Sequence, residues 1–338
     1  MHRLSDFDYD LPSAQIAQHP LPDRSASRLL VLDRATGGTR HLHFRDLPEL
    51  IPPGDLLVIN TSRVIPARLR GKREGGQDAE FLVVREVADG TWLAMAHPGG
   101  KLKPGRRVTF GPDSAVEIVE VLGGGLRRVR FVGLDPQATL AKYGDVPLPP
   151  YIRRPPTRAD QERYQTVYAT HDGSVAAPTA GLHFTTELLA RIHEQRTFVT
   201  AIDLHVGPGT FKPVETEELD KHTMHPEAYE ISAGAADWVN QKRDRVWAVG
   251  TTVVRALESS VDSTALVRAG AGETRLFIRP PHDFKVVNHL ITNFHLPRST
   301  LLMLVCAFGG YAPVMAAYRE AVKEGYRFYS YGDAMVIS

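Results

Sequence analysis

Between residues 66 and 132, six short strand-like stretches (66–72, 79–87, 91–97, 106–110, 115–122 and 126–132) follow one another, parted by turn signals. Gly75-Gly76, Asp89-Gly90, Pro98-Gly99-Gly100, Gly111-Pro112 and Gly123-Gly124-Gly125 supply those turns. Strands this short, with turns at such close spacing, fit a small antiparallel barrel or sandwich and leave no room for helices. In the last of them Arg128 and Arg130 alternate with Val129 and Phe131, so both arginines share the outward face. The stretch 147–156 then carries five prolines and reads as a linker leaving this unit.

On either side the texture is that of an α/β protein. Residues 28–33 and 39–44 flank the hairpin signal Ala35-Thr36-Gly37-Gly38, and 55–60 (DLLVIN) is a buried type of strand. Beyond 174, helices are expected over 185–195, 233–242, 251–259, 300–308 and 312–324, with strands over 198–206, 246–250, 276–278 and 286–292. Ser299 caps the apolar helix, and Pro313 and Gly325 bracket the last one. The expected architecture is a larger α/β domain formed by both ends of the chain, 1–65 plus 156–338, interrupted by an inserted antiparallel β-barrel domain, 66–155.

Several classes are excluded. With 43% hydrophobic residues in 338, the chain has material for a core and none of the bias of a disordered protein. Its longest apolar run, 301–308, is far short of a bilayer span, and Asp6, Asp8 and Asp10 spoil a signal peptide. The single Cys306 cannot form an intrachain disulfide or a thiolate cluster, so a buried, inert thiol in the cytoplasm is expected. The net charge of +1 hides an asymmetry: residues 61–155 hold 16 Lys/Arg against 10 Asp/Glu. That excess suits a polyanion, and Arg106, Arg107, Arg153 and Arg154 join Arg128 and Arg130 as candidate phosphate contacts.

Neither a dinucleotide fingerprint nor a phosphate-binding Walker loop is present; in Gly207-Pro208-Gly209 the third glycine would fall on Lys212. His222 and His225, near Glu227 and Glu230 on a helix-turn spacing, resemble a metal pair only weakly, and no metal is expected. Four segments concentrate glycine, threonine, histidine and arginine at strand ends or helix starts: SVAAPTAGLHF (174–184), LHVGPGTF (204–211), VGTTVVRALES (249–259) and TNFHLPRSTL (292–301). Open α/β sheets bind ligands at such places, where glycine admits a ligand to the backbone and histidine exchanges protons near neutral pH. Arg255 and Glu258, three apart, have the spacing to pair with each other on a helix.

Taken together with GDLLVINTSRVIPARL (54–69), YQTVYATHDGSVAAPTAGLHF (164–184), the 220–230 segment and YGDAM (331–335), these strings resemble the S-adenosylmethionine:tRNA ribosyltransferase-isomerases of queuosine biosynthesis. One local departure is Thr61-Ser62, where the family more often has two amide or acidic residues before a threonine. The resemblance implies a barrel-like α/β domain with an inserted β-barrel. It also implies transfer of the ribosyl part of S-adenosylmethionine onto 7-aminomethyl-7-deazaguanine at the tRNA wobble position, with rearrangement to epoxyqueuosine and loss of adenine and methionine. A base must then remove an acidified 5′ hydrogen next to the sulfonium, and an acid must assist adenine departure. S-adenosylmethionine is a co-substrate here, with no permanently bound cofactor and no metal.

Carried onto this chain, the resemblance makes His183 a proton-transfer group, with His205, Glu258 and His295 as further catalytic candidates. Thr179, Gly181, Gly207, Gly209, Thr210, Thr251, Thr252, Arg255, Asn293 and Asp333 become the substrate- and cofactor-binding set, and Arg63, Arg68, Arg128 and Arg130 the tRNA contacts. The expected partner is tRNA, with no membrane and a monomeric chain. A methyltransferase reading lacks the glycine-rich loop expected after the first strand. A non-catalytic RNA-binding reading would rest on the basic β-domain alone.

Overall fold

In the computed structural model the described residues are 2–338 except 208, 210–213, 215 and 243. Nine strands form one mixed sheet, in the order Gly270–Thr274, Glu227–Ile231, Phe198–Leu204, Leu56–Asn60, Val246–Val249, His289–Asn293, Ala334–Ile337, Arg28–Leu32 and Thr39–His43. The four from Phe198–Leu204 to His289–Asn293 are mutually parallel, so their carboxyl ends gather along one edge. Helices and loops cover both faces, which is why Leu56–Asn60 and Val246–Val249 are buried at every position and read as continuous apolar runs. One core cluster holds Leu56, Val58, Val253, Leu257 and the Leu302–Cys306 helix face; the other holds Leu57, Ile59, Trp247 and Phe184. Trp247 pins the sheet further by donating its indole N–H to Asp55 at 2.8 Å.

The inserted unit is a closed six-stranded antiparallel barrel: Arg68–Arg73, Asp78–Glu86, Trp92–His97, Leu126–Gly133, Ser114–Gly123 and Arg107–Gly111. Closure comes from pairing of the first strand with the last, Lys72 opposite Thr109 and Arg73 opposite Val108. Gly71 sits at that seam, where a β-carbon would lie 2.5 Å from the Thr109 carbonyl oxygen, so glycine is needed for the strands to meet. Leu69, Phe81, Val83, Val116, Ile118 and Val129 fill the interior. All six strands lie where the alternation places them, and Arg128 and Arg130 face outward; Arg127, by contrast, is buried and donates to the Leu102, Leu126 and Gly99 carbonyls.

Helix caps follow the expected chemistry: Ser299, Thr185 and Ser232 accept the amides of Leu302, Leu188 and Ala235 at 3.2, 3.1 and 3.2 Å. Three expectations need correction. Residues 276–278 are not a strand; the edge strand is Gly270–Thr274. The 220–230 segment is not a helix turn bearing His222 and His225 but a short turn, Leu219–Lys221, followed by the strand Glu227–Ile231. Arg255 does not pair with Glu258. Cys306 is buried, and burial pushes its thiol up to about 12. No single helix among the described residues is long and apolar enough to cross a membrane.

Candidate functional site

The carboxyl edge of the parallel strands opens into a cavity of about 80 Å3 to which the predicted segments converge. Thr179 arrives from the 174–184 segment, Thr251 and Thr252 from the helix that follows Val246–Val249, and Asn293 and His295 from the end of His289–Asn293. Gly250 makes the strand-to-helix turn at φ +92°, a conformation that strains other residues. Tyr151, Tyr329 and Ser330 complete the wall, with the two tyrosine rings stacked at 4.4 Å and 20°. Tyr329 holds φ +73°, a left-handed value that is uncommon outside glycine and typical of constrained functional sites.

Four polar atoms of residues on this wall are buried with no protein partner among the described residues: Asn293 Oδ1, Thr252 Oγ1 and the Tyr164 and Tyr329 hydroxyls. Buried polar groups are nearly always paired in folded proteins, so four bare ones around one cavity mark a place for a polar ligand. His295 is also on the wall, its Nε2 2.8 Å from Thr292 Oγ1, and burial pushes it down to about 3. It is therefore neutral throughout the physiological range.

His183 lies behind this cavity, off its lining, with both ring nitrogens engaged. Asn293 Nδ2, which can only donate, reaches Nε2 at 3.1 Å, so the proton sits on Nδ1 and is given to Ser27 Oγ at 2.7 Å. Phe44 stacks on the ring at 4.9 Å. Burial first, and then Arg327 and Arg24, push His183 down to about 3. Its visible task is to orient the Asn293 carboxamide, which also donates to the Tyr329 carbonyl at 3.0 Å.

A second opening of about 690 Å3 separates the barrel from the α/β unit, lined by Ile65, Trp92 and Leu140 on one side and His205, Gly207 and Glu227 on the other. Val206 lies on both cavities and divides them. His205 Nδ1 is buried without a partner, and burial lowers its pKa. Ligand pockets of drug-sized molecules run to roughly 300–1,000 Å3. The inner cavity is too narrow for a nucleoside by that measure, so such a ligand needs both spaces.

The remaining predicted residues take other places. Arg255 is buried and ion-paired with Glu227, whose Oε1 accepts the Gly207 amide at 3.0 Å. Glu258 lines neither cavity; it accepts the amides of Lys285, Val286 and Val287 at 2.9, 3.0 and 3.1 Å. Asp333 is buried and accepts the amides of Arg28 and Arg327, with burial raising its pKa. Gly181 packs against Tyr168, whose hydroxyl would meet an added β-carbon at 2.2 Å, and Gly209 lies against His225. Thr210 falls outside the described residues. At the departure from the family pattern, Thr61 Oγ1 donates to Asp203 at 2.8 Å and Ser62 Oγ meets Ser174 Oγ at 2.7 Å, both structural contacts. Among the described residues no group of three His, Cys, Asp or Glu side chains has metal-binding geometry.

Six barrel cations face carboxylates: Arg68 and Arg70 with Glu80, Lys72 with Asp78, Arg106 with Glu74, Arg107 with Glu117, and Arg128 with Glu120. Arg63 reaches the Ala169 carbonyl and lies 3.8 Å from Asp172. Sequence reasoning missed Tyr151, Tyr329, Ser330 and Glu227 as parts of the site. Only Glu227 carried a signal, through its place in the 220–230 string.

A family model described as queuosine biosynthesis protein matches residues 4–337. Relatives named S-adenosylmethionine:tRNA ribosyltransferase-isomerase include one from Anaeromyxobacter sp. (strain K), 52% identical with 99% of each chain covered. Another, from Thermus thermophilus, is 52% identical with 100% of each covered. A crystal structure titled S-adenosylmethionine tRNA ribosyltransferase, from Thermotoga maritima, is 38% identical, covers 99% of this chain and 100% of its own, and superposes with a TM-score of 0.56. With the match running from end to end, and with the expected barrel inserted in the expected α/β frame, the chain belongs to the queuosine biosynthesis protein family.

Proposed function

We propose that this chain transfers and isomerises the ribosyl part of S-adenosylmethionine onto 7-aminomethyl-7-deazaguanine at the wobble position of tRNA, yielding epoxyqueuosine-tRNA, adenine and methionine. The observation that carries this reading is the full-length similarity, at about half identity, to relatives that bear that name. The four bare polar atoms around one cavity supply its structural support. In this reading Asn293, Thr252, Thr251 and Thr179 bind the nucleoside part, and the Tyr151–Tyr329 pair offers an aromatic face. His205 is the favoured proton acceptor because its Nδ1 is unengaged and it borders the larger space. His295 stays neutral and positions Thr292, while His183 positions Asn293. Gly207 and Arg255 serve through Glu227, which fixes the loop between the two spaces.

The domain division proposed is 1–65 plus 156–338 for catalysis and 66–155 for the inserted barrel, with Arg63, Arg68, Arg128 and Arg130 meeting tRNA. The chain acts as a cytoplasmic monomer without a resident cofactor or metal. Incubation with S-adenosylmethionine and tRNA bearing the aminomethyl base, followed by mass spectrometry, tests the reaction. Equal free adenine and methionine with a matching gain of tRNA mass are expected, unaffected by chelators. Equal adenine release with unmodified guanine, or a methylated RNA product, refutes it.

A further inference from the structure

Behind the inner cavity, three guanidinium groups line one small pocket. Arg24 donates to the Leu182 and Glu162 carbonyls at 3.0 Å each, Arg163 to the Pro22 and Leu21 carbonyls at 2.7 Å each, and Arg327 to the Tyr331 carbonyl at 2.6 Å. Backbone carbonyls therefore hold all three in place without neutralising them. No carboxylate lines the pocket among the described residues; Asp333 stands 3.8 Å from Arg327 Nε while already accepting two amides, and the Glu162 charge acts on Arg24. On the barrel, by contrast, six cations face carboxylates. Arg163 Nε is buried with no partner, and burial together with the Arg163 charge lowers the Arg24 pKa. Three like charges gathered this closely are unfavourable unless an anion joins them, and a guanidinium fork held rigid suits a phosphate oxygen pair.

Position narrows the choice of anion. Ser330 lines both this pocket and the inner cavity, and its hydroxyl lies 2.6 Å from the Tyr151 hydroxyl. In a nucleotide the base and the phosphate leave opposite ends of one ribose, so a base in the cavity carries its phosphate toward a neighbouring recess. The pocket interior is only about 20 Å3, which seats an anion at its mouth and excludes a whole nucleotide.

We propose that Arg24, Arg163 and Arg327 form a phosphate subsite that holds a backbone phosphodiester of the RNA substrate next to the reactive cavity. This rests on the tRNA-modifying reading above. Binding of a labelled tRNA anticodon stem-loop should be titrated against salt for the wild type, an Arg24→Gln/Arg163→Gln double variant and the matching double lysine variant. Each lost phosphate contact should flatten the log–log salt slope by roughly 0.7–0.9, so the glutamine pair should lose about 1.5. The lysine pair, which keeps the charge, should recover most of it, while the Michaelis constant for S-adenosylmethionine stays within about twofold in either variant. An unchanged slope in a glutamine variant with a native unfolding midpoint overturns the subsite. A native lysine variant that fails to recover the slope does so too. A raised constant for S-adenosylmethionine with an unchanged RNA slope assigns the pocket to that molecule's carboxylate instead. Binding is read without turnover, so failure of the wild type to release adenine would refute the reaction and leave this test standing.

Discussion

Asn293→Ala is the most informative single change, because that carboxamide joins three elements at once. Its Nδ2 donates to His183 Nε2 at 3.1 Å and to the Tyr329 carbonyl at 3.0 Å, and its Oδ1 faces the cavity unpaired. Alanine leaves His183 Nε2 bare and takes one of two donors from the Tyr329 carbonyl, which keeps the Gly332 amide at 2.9 Å. A buried acceptor left bare costs roughly 1–3 kcal/mol, so the expected destabilisation is about 1–3 kcal/mol. The same change removes the bare acceptor that the ligand would use, worth another roughly tenfold to hundredfold in kcat/KM. Urea unfolding followed by circular dichroism measures the first effect and adenine release the second. Asn293→Asp sharpens the test: it restores a cavity-facing oxygen but sets a second acceptor against the Tyr329 carbonyl. Its buried carboxyl should have a raised pKa, so relative to wild type the aspartate variant should lose stability as pH rises from about 4 toward that raised value. A loss below about 1 kcal/mol for alanine, with near-normal turnover, would refute the idea that Asn293 organises the site.

Three further outcomes follow from the geometry. His183 and His295 are both pushed down to about 3 from an ordinary 6.5, so the unfolded chain binds protons that the folded chain refuses. Stability should therefore be full above about pH 6.5 and fall on acidification, by about 2 kcal/mol per histidine at pH 5; equal urea midpoints at pH 5 and 7.5 would contradict this. Gly181→Ala should cost about 1–3 kcal/mol and slow adenine release, since the new methyl collides with the Tyr168 hydroxyl; a variant with a wild-type thermal midpoint would show that the turn yields freely. Replacing Arg128 and Arg130 with glutamine should flatten the salt slope of tRNA binding by about one unit rather than two, because Glu120 already matches Arg128; no change would remove this face from the RNA interface.

The barrel was legible because its strands are short, alternate cleanly and are punctuated by glycine, all local signals. So were Thr251–Ser259, whose start is set by the glycine before it, and Thr300–Gly309, set by the Ser299 cap. What stayed hidden depends on contacts far apart in the chain. Glu258 and Asp333 look like site carboxylates in sequence, yet both are spent on backbone amides far along the chain, Glu258 on Val286 and Asp333 on Arg28. Arg255 meets Glu227 across 28 positions, and no local spacing foretells that. Tyr151 sits in a proline-rich stretch that reads only as a connector. The four segments do meet around one cavity at the sheet edge, whereas the division between lining residues and those behind them required the fold.

Tyr151 also bears on how separable the two units are. It belongs to the return linker of the inserted barrel, yet it stacks on Tyr329, bonds Ser330 and walls the inner cavity of the other unit. A shortened chain that joins residue 65 directly to 156 would delete this ring along with the barrel. The α/β frame could retain its sheet and still lose one side of its binding space. The insertion is thus not cleanly detachable; its exit strap forms part of the wall of the inner cavity, and any recombination that trades the barrel must carry residues 147–155 with it.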